Sequence, residues 1–182
     1  MPIIMPSPRT GKKPQIHETA FIAPTAVIIG DVTIGENSNI WFGAVLRGDW
    51  GTIKIGKNTS IQENVTIHLE QDSSVFIGDD VIVGHHAMIH GPTEIENGCV
   101  VGIGANVLHN SKLGEGVQVG AGAVLLNKEF PSRCLVVGIP ADIKKHLPET
   151  GKLVGERTSK DYVQNGRDFK AFFKKNPKFA NY

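Results

Sequence analysis

His68, His85 and His90 are the residues of this chain whose type and spacing best suit chemistry. A neutral imidazole is the commonest side-chain ligand for divalent metals, and it also moves protons near neutral pH. Two neutral imidazoles side by side can share one ion; exposed and unpaired ones are merely tolerated. A third gives the three-nitrogen, open-position arrangement of a catalytic zinc site, where water becomes a nucleophile near neutral pH. Four other histidines are present. His17, His109 and His146 read as isolated surface residues, and His86 as a candidate proton relay. Whether the first three meet depends entirely on the backbone that carries them.

That backbone repeats every six residues. Ile16, Ile22, Ile28, Ile34, Ile40 and Leu46 form one ladder, Ile55, Ile61 and Ile67 a second. Ile77, Val83, Ile89, Ile95, Val101, Val107, Leu113, Val119 and Leu125 form a third. The fourth residue after each rung is nearly always small, as in Ala26, Ala44, Ala87, Cys99 and Ala105. A β-branched rung every six residues, with a small residue at each corner, is the hexapeptide signature of a parallel β-helix. An ordinary sandwich alternates with period two instead. In the known hexapeptide-repeat folds three such units make one left-handed triangular coil. The eighteen rungs therefore predict about six coils, stacked at the spacing of paired strands, about 4.8 Å.

Counting rungs places the histidines. Leu46, Ile67 and Ile89 are three steps apart, one full coil each, so Arg47, His68 and His90 fall in one outward column. Three residues inserted before Ile55 and four inserted before Ile77 loop out. His85 lies one hexapeptide before His90, on an adjacent face. It reaches the His68–His90 pair of a neighbouring chain across a three-fold axis more easily than its own. The expectation is a homotrimer whose metal is shared between adjacent subunits.

The remaining composition excludes several classes. The chain has 182 residues, and 19 Lys and Arg balance 18 Asp and Glu, which argues against a nucleic-acid binder. No apolar run approaches a membrane span, and no signal-peptide pattern opens the chain. Cys99 and Cys134 make no disulfide framework. A cytoplasmic protein is expected. The predicted organisation is an N-terminal extension over 1–13, the β-helix over 14–140, and a C-terminal linker and helix over 141–182. The pattern is expected to end at Leu125, with 130–140 as an exit segment. A helix over about 156–175 would carry Tyr162, Phe169 and Phe173 on one face.

The segments NIWFGAVLRGD (39–49), TSIQENVTIH (59–68), IGDDVIVGHHAMIHG (77–91) and VVGIPA (136–141) resemble the γ-class carbonic anhydrases and their bacterial homologues. The resemblance implies reversible hydration of CO2 to bicarbonate, a lyase reaction at a trimer interface. It implies His68, His85 and His90 as metal ligands, with Zn(II) first and Co(II) or Fe(II) as other candidates. Arg47 and Asp49 match the family's interface ion pair. Gln62 matches a residue that positions water or bicarbonate. Glu63 and Glu70 are the carboxylates available for proton relay. The chain departs from the family at Ser60 and Glu63, which stand for Asn and Asp. Trp50 stands for a glutamate, and the acidic loop is shortened to Leu69–Val75. Competing readings are a metal-dependent thioesterase on the same site and a metal-binding trimeric scaffold. A CoA acyltransferase ranks lower, because the insertions are too short to cover a pantetheine arm.

Overall fold

The structure is a computed structural model that describes residues 1–180; Asn181 and Tyr182, at the end of the expected 141–182 segment, lie outside the described residues. The rungs stack as the period requires. Ile28 pairs with Leu46, Leu46 with Ile67, Ile67 with Ile89, Ile89 with Val107 and Val107 with Leu125. All of these side chains are buried, so the interior is a column of aliphatic groups. The strands form a twelve-stranded parallel sheet and an eight-stranded sheet that is parallel except for its last pair. The longest strand, Val45–Ile55, turns a corner of the prism. Its first half pairs with Thr66–Leu69 and its second half with Ser74–Ile77.

The helix has about seven turns, not six. It continues past Leu125: Phe130 pairs with Leu113 and Val136 with Val119. Two features hid this in the sequence. The step from Leu125 to Phe130 is five residues, and the rung is aromatic. Cys134 then takes the small corner slot four residues after Phe130, as Cys99 does after Ile95. The expected exit segment is thus a last strand, Cys134–Gly138, which pairs antiparallel with Ala141–His146. That hairpin closes one end. At the other end Ile3–Met5 pairs with Val27–Ile29.

Corner geometry explains the turn residues. The third residue after a rung has positive φ at Asn37, Asn58, Asn64, Asp80 and Asn110, and at Gly98, Gly104 and Gly116. Asn, Asp and Gly tolerate that region best. His86 occupies the same slot at φ 59°.

Burial also settles the cysteines. It pushes the Cys99 thiol up to about 12 and raises Cys134 as well. A thiolate is the reactive form. Neither thiol is therefore expected to react with an aromatic disulfide reagent in native, mildly alkaline buffer, whereas both react after denaturation. A fast native phase in the absorbance trace would contradict this burial.

The C-terminal helix, α1 (Val154–Lys175), packs on the eight-stranded face. Tyr162, Phe169 and Phe173 join Phe21, Trp41 and Phe42 in one aromatic cluster, as the helical spacing predicts. Gly155 and Gly166 let the helix approach closely; a Cβ on Gly155 would collide with the Asp80 and Gly98 carbonyls. No described helix is long and apolar enough to cross a membrane.

Candidate metal centre

The ladder sets His68 opposite His90 in register. Their rings lie 5.6 Å apart, centroid to centroid, at 87°. The His68 Nδ1–H donates to the Arg47 carbonyl at 2.9 Å. A carbonyl oxygen only accepts, so Nδ1 holds the proton and Nε2 keeps its lone pair. Ligand histidines are typically oriented in this way. The Arg47 guanidinium donates to both Asp49 oxygens at 3.0 and 3.3 Å, within one chain. The Asp49 side chain is mostly buried, while Arg47 is 41% exposed, so the guanidinium faces the cleft mouth.

The two insertions wall this column. Residues 49–51 form the bulge opposite the Gly30–Asp31 step. The Glu70–Ser73 turn folds against them, with the Asp72 amide donating to the Trp50 carbonyl at 3.0 Å. The Arg9 guanidinium sits 4.3 Å above the Trp50 ring. The result is an open cleft of about 490 Å³ lined by Arg47, Trp50, His68, Leu69, Glu70, Gln71 and His90.

His85, Gln62 and Glu63 gather elsewhere, at the corner that leaves the eight-stranded face. His85 Nδ1 lies 2.7 Å from a Glu63 carboxylate oxygen. The His85 backbone amide donates to Gln62 Oε1 at 3.1 Å, and Gln62 is buried. One chain therefore carries two separate clusters of candidate residues. Arg47, Asp49, His68, Glu70 and His90 belong to one; Gln62, Glu63 and His85 belong to the other. His86 stands at the corner beside Asn64, 3.5 Å away, on the His85 side.

One residue was missed. Glu70, His90 and His109 place one ligand atom each within 4.8 Å of one another. His109 follows its rung by two residues rather than one, so counting faces does not align it with His90. Only the corner geometry does.

The donor set fits a divalent metal. His68 and His85 each have one ring nitrogen tied to an acceptor and the other left over. Among the described residues, the buried Nδ1 of His90 has no hydrogen-bond partner.

The "Bacterial transferase hexapeptide (six repeats)" family profile matches residues 13–48 and 92–127. A carbonic anhydrase of Geobacillus kaustophilus is 35% identical over 165 residues, covering 90% of either chain. The gamma carbonic anhydrase 2 of Arabidopsis thaliana mitochondria is 36% identical over 84% of this chain, which spans only 57% of that protein's length. Among solved structures, a hexapeptide transferase family protein of Anaplasma phagocytophilum superposes with a TM-score of 0.83. It is 34% identical, covering 92% of this chain and 98% of that one. The left-handed β-helix of such neighbours is the fold of this chain.

Proposed function

From the premise that this chain belongs to the hexapeptide-repeat family of γ-class carbonic anhydrase homologues, we propose that it hydrates CO2 reversibly at a metal centre shared between subunits of a homotrimer. The observation that carries the reading is the pair of half-sites. His68 and His85 lie on different faces, yet each has Nδ1 bound to an acceptor and Nε2 left over. A closed ring of identical chains brings the two half-sites together at every interface.

His68 and His90 of one chain and His85 of the next would hold the ion. Zn(II) is the first candidate, and Co(II) and Fe(II) also suit three imidazoles. The bound cation supplies Lewis acidity that acidifies water, chemistry for which carbonic anhydrases are themselves the standard example.

The protein's own groups do the rest. The Arg47 carbonyl fixes the His68 ring, and the Glu63 carboxylate fixes the His85 ring. Gln62 Oε1 holds the His85 backbone, leaving the Gln62 amide nitrogen to donate to an oxygen of bicarbonate. Leu69 and Trp50 give CO2 an apolar wall without competing donors. The Arg47 guanidinium, held by Asp49, draws the anionic product towards the mouth. Glu70 is exposed beside the cleft; its carboxylate takes a proton from water there and releases it to solvent.

The test is stopped-flow CO2 hydration on protein of measured metal content, reconstituted with Zn(II) or Co(II). Hydration that rises in proportion to bound metal and disappears with a chelator is expected. Stoichiometric metal without hydration would overturn the reading and move thioester hydrolysis on the same site to the front.

A further inference from the structure

His109 is not used by the shared centre, yet it stands next to it. Its ring lies 6.3 Å from that of His90, at 77°. Glu70 completes a trio of donor atoms, all within 4.8 Å of one another. Four-coordinate zinc, with ligand distances near 2 Å, places its donors about 3.3 Å apart. The side chains therefore need only small torsional changes to converge. Glu70 is exposed and free to make most of the adjustment.

The backbone under each donor is fixed. His90 is in the ladder opposite His68. The carbonyl of His109 accepts from the Asn127 amide at 3.1 Å, and the next residue's amide donates to the Pro92 carbonyl at 2.7 Å. The Glu70 carbonyl accepts from the Ser73 hydroxyl at 2.7 Å, which closes the turn and leaves the carboxylate unengaged by it. Two imidazoles and one carboxylate are a donor set for a borderline divalent ion. Among the described residues the buried Nδ1 of His90 has no hydrogen-bond partner.

We propose that Glu70, His90 and His109 form a second divalent-cation position, complete within one chain. It needs no neighbour. Because it uses His90, it competes with the shared position; that competition rests on the functional reading above, whereas the three intrachain donors do not. The second position is filled when no partner His85 is at hand, as in a chain that has not yet assembled.

The probe is Co(II), followed by visible absorption and equilibrium dialysis on the full-length protein. His85→Ala removes the shared position. It should still bind Co(II) in the remaining site, more weakly than wild type and with a changed spectrum. Adding His109→Ala should weaken that residual binding by roughly tenfold or more, the scale on which lost partners of metal ligands are felt. Glu70→Gln, which keeps the side-chain shape, should do the same in the His85→Ala background. Equal affinity in His85→Ala and both double variants would overturn the second position. Wild-type affinity and spectrum in His85→Ala would instead overturn the shared centre, so the two failures are separable.

Discussion

Replacing His90 with alanine is expected to abolish both metal retention and CO2 hydration. No other single substitution should have so large an effect, because His90 belongs to both ion positions proposed above. The ladder fixes it opposite His68, and its ring is also the one nearest His109. Losing a group that merely orients a metal ligand costs roughly 10–100-fold in affinity. Losing the ligand itself costs more, and here both positions go together. His17 is the control. It is exposed and its side chain bonds only to Thr19, at 2.9 Å from the hydroxyl, so His17→Ala should leave metal content and rate at the wild-type level. Metal content by mass spectrometry and the hydration rate are the two readouts. Retention of stoichiometric metal in His90→Ala would contradict the assignment.

Ile95→Ala is expected to give the largest loss of stability among conservative changes remote from the cleft. Ile95 is fully buried. It stacks between Ile77 and Leu113, one coil on either side. Truncating a buried isoleucine removes its transfer free energy and leaves a cavity, at a cost of about 2–5 kcal/mol. A solenoid has little means of closing that gap, because each coil touches only its neighbours. The exposed Ile139 supplies the contrast; its truncation should stay within about 0.5 kcal/mol. Urea unfolding at one fixed protein concentration measures both, since assembly makes apparent stability concentration-dependent. Equal midpoints for the two variants would show that the rungs do not carry the core.

The stacking register was legible because the period is local and strict. Each six-residue step from Ile16 to Leu46 carries a rung to the next face, and Leu46 to Ile67 to Ile89 closes whole coils. The pairing of His68 with His90 followed from that count alone. The count failed where the period did. The five-residue step to Phe130 concealed the seventh turn, and Cys134 looked like a loop residue although it fills a corner slot. The insertions carried no period either. Their role in walling the cleft with Trp50 and Glu70 depends on how two turns fold against each other. His109 escaped for the same kind of reason. Face counting says which way a strand residue points, but a corner residue points where the turn sends it. Resemblance marks Gln62 as a candidate site residue. Its grip on the His85 amide is visible only in three dimensions.

Mixing two variants tests whether the metal centre is shared between chains. His85→Ala chains keep the His68–His90 pair, and His90→Ala chains keep His85. Neither can build a shared centre alone. In a mixed ring one interface joins the intact pair of one chain to the intact His85 of the other. Random assembly of equal amounts into closed trimers restores about a quarter of the shared centres. The two variants should be co-assembled, reconstituted with Zn(II), and compared with the same variants assembled separately. Hydration near that fraction of the wild-type rate is expected in the mixture and none in the separate samples. A mixture no more active than its parts, with mixed trimers verified by mass, would contradict it.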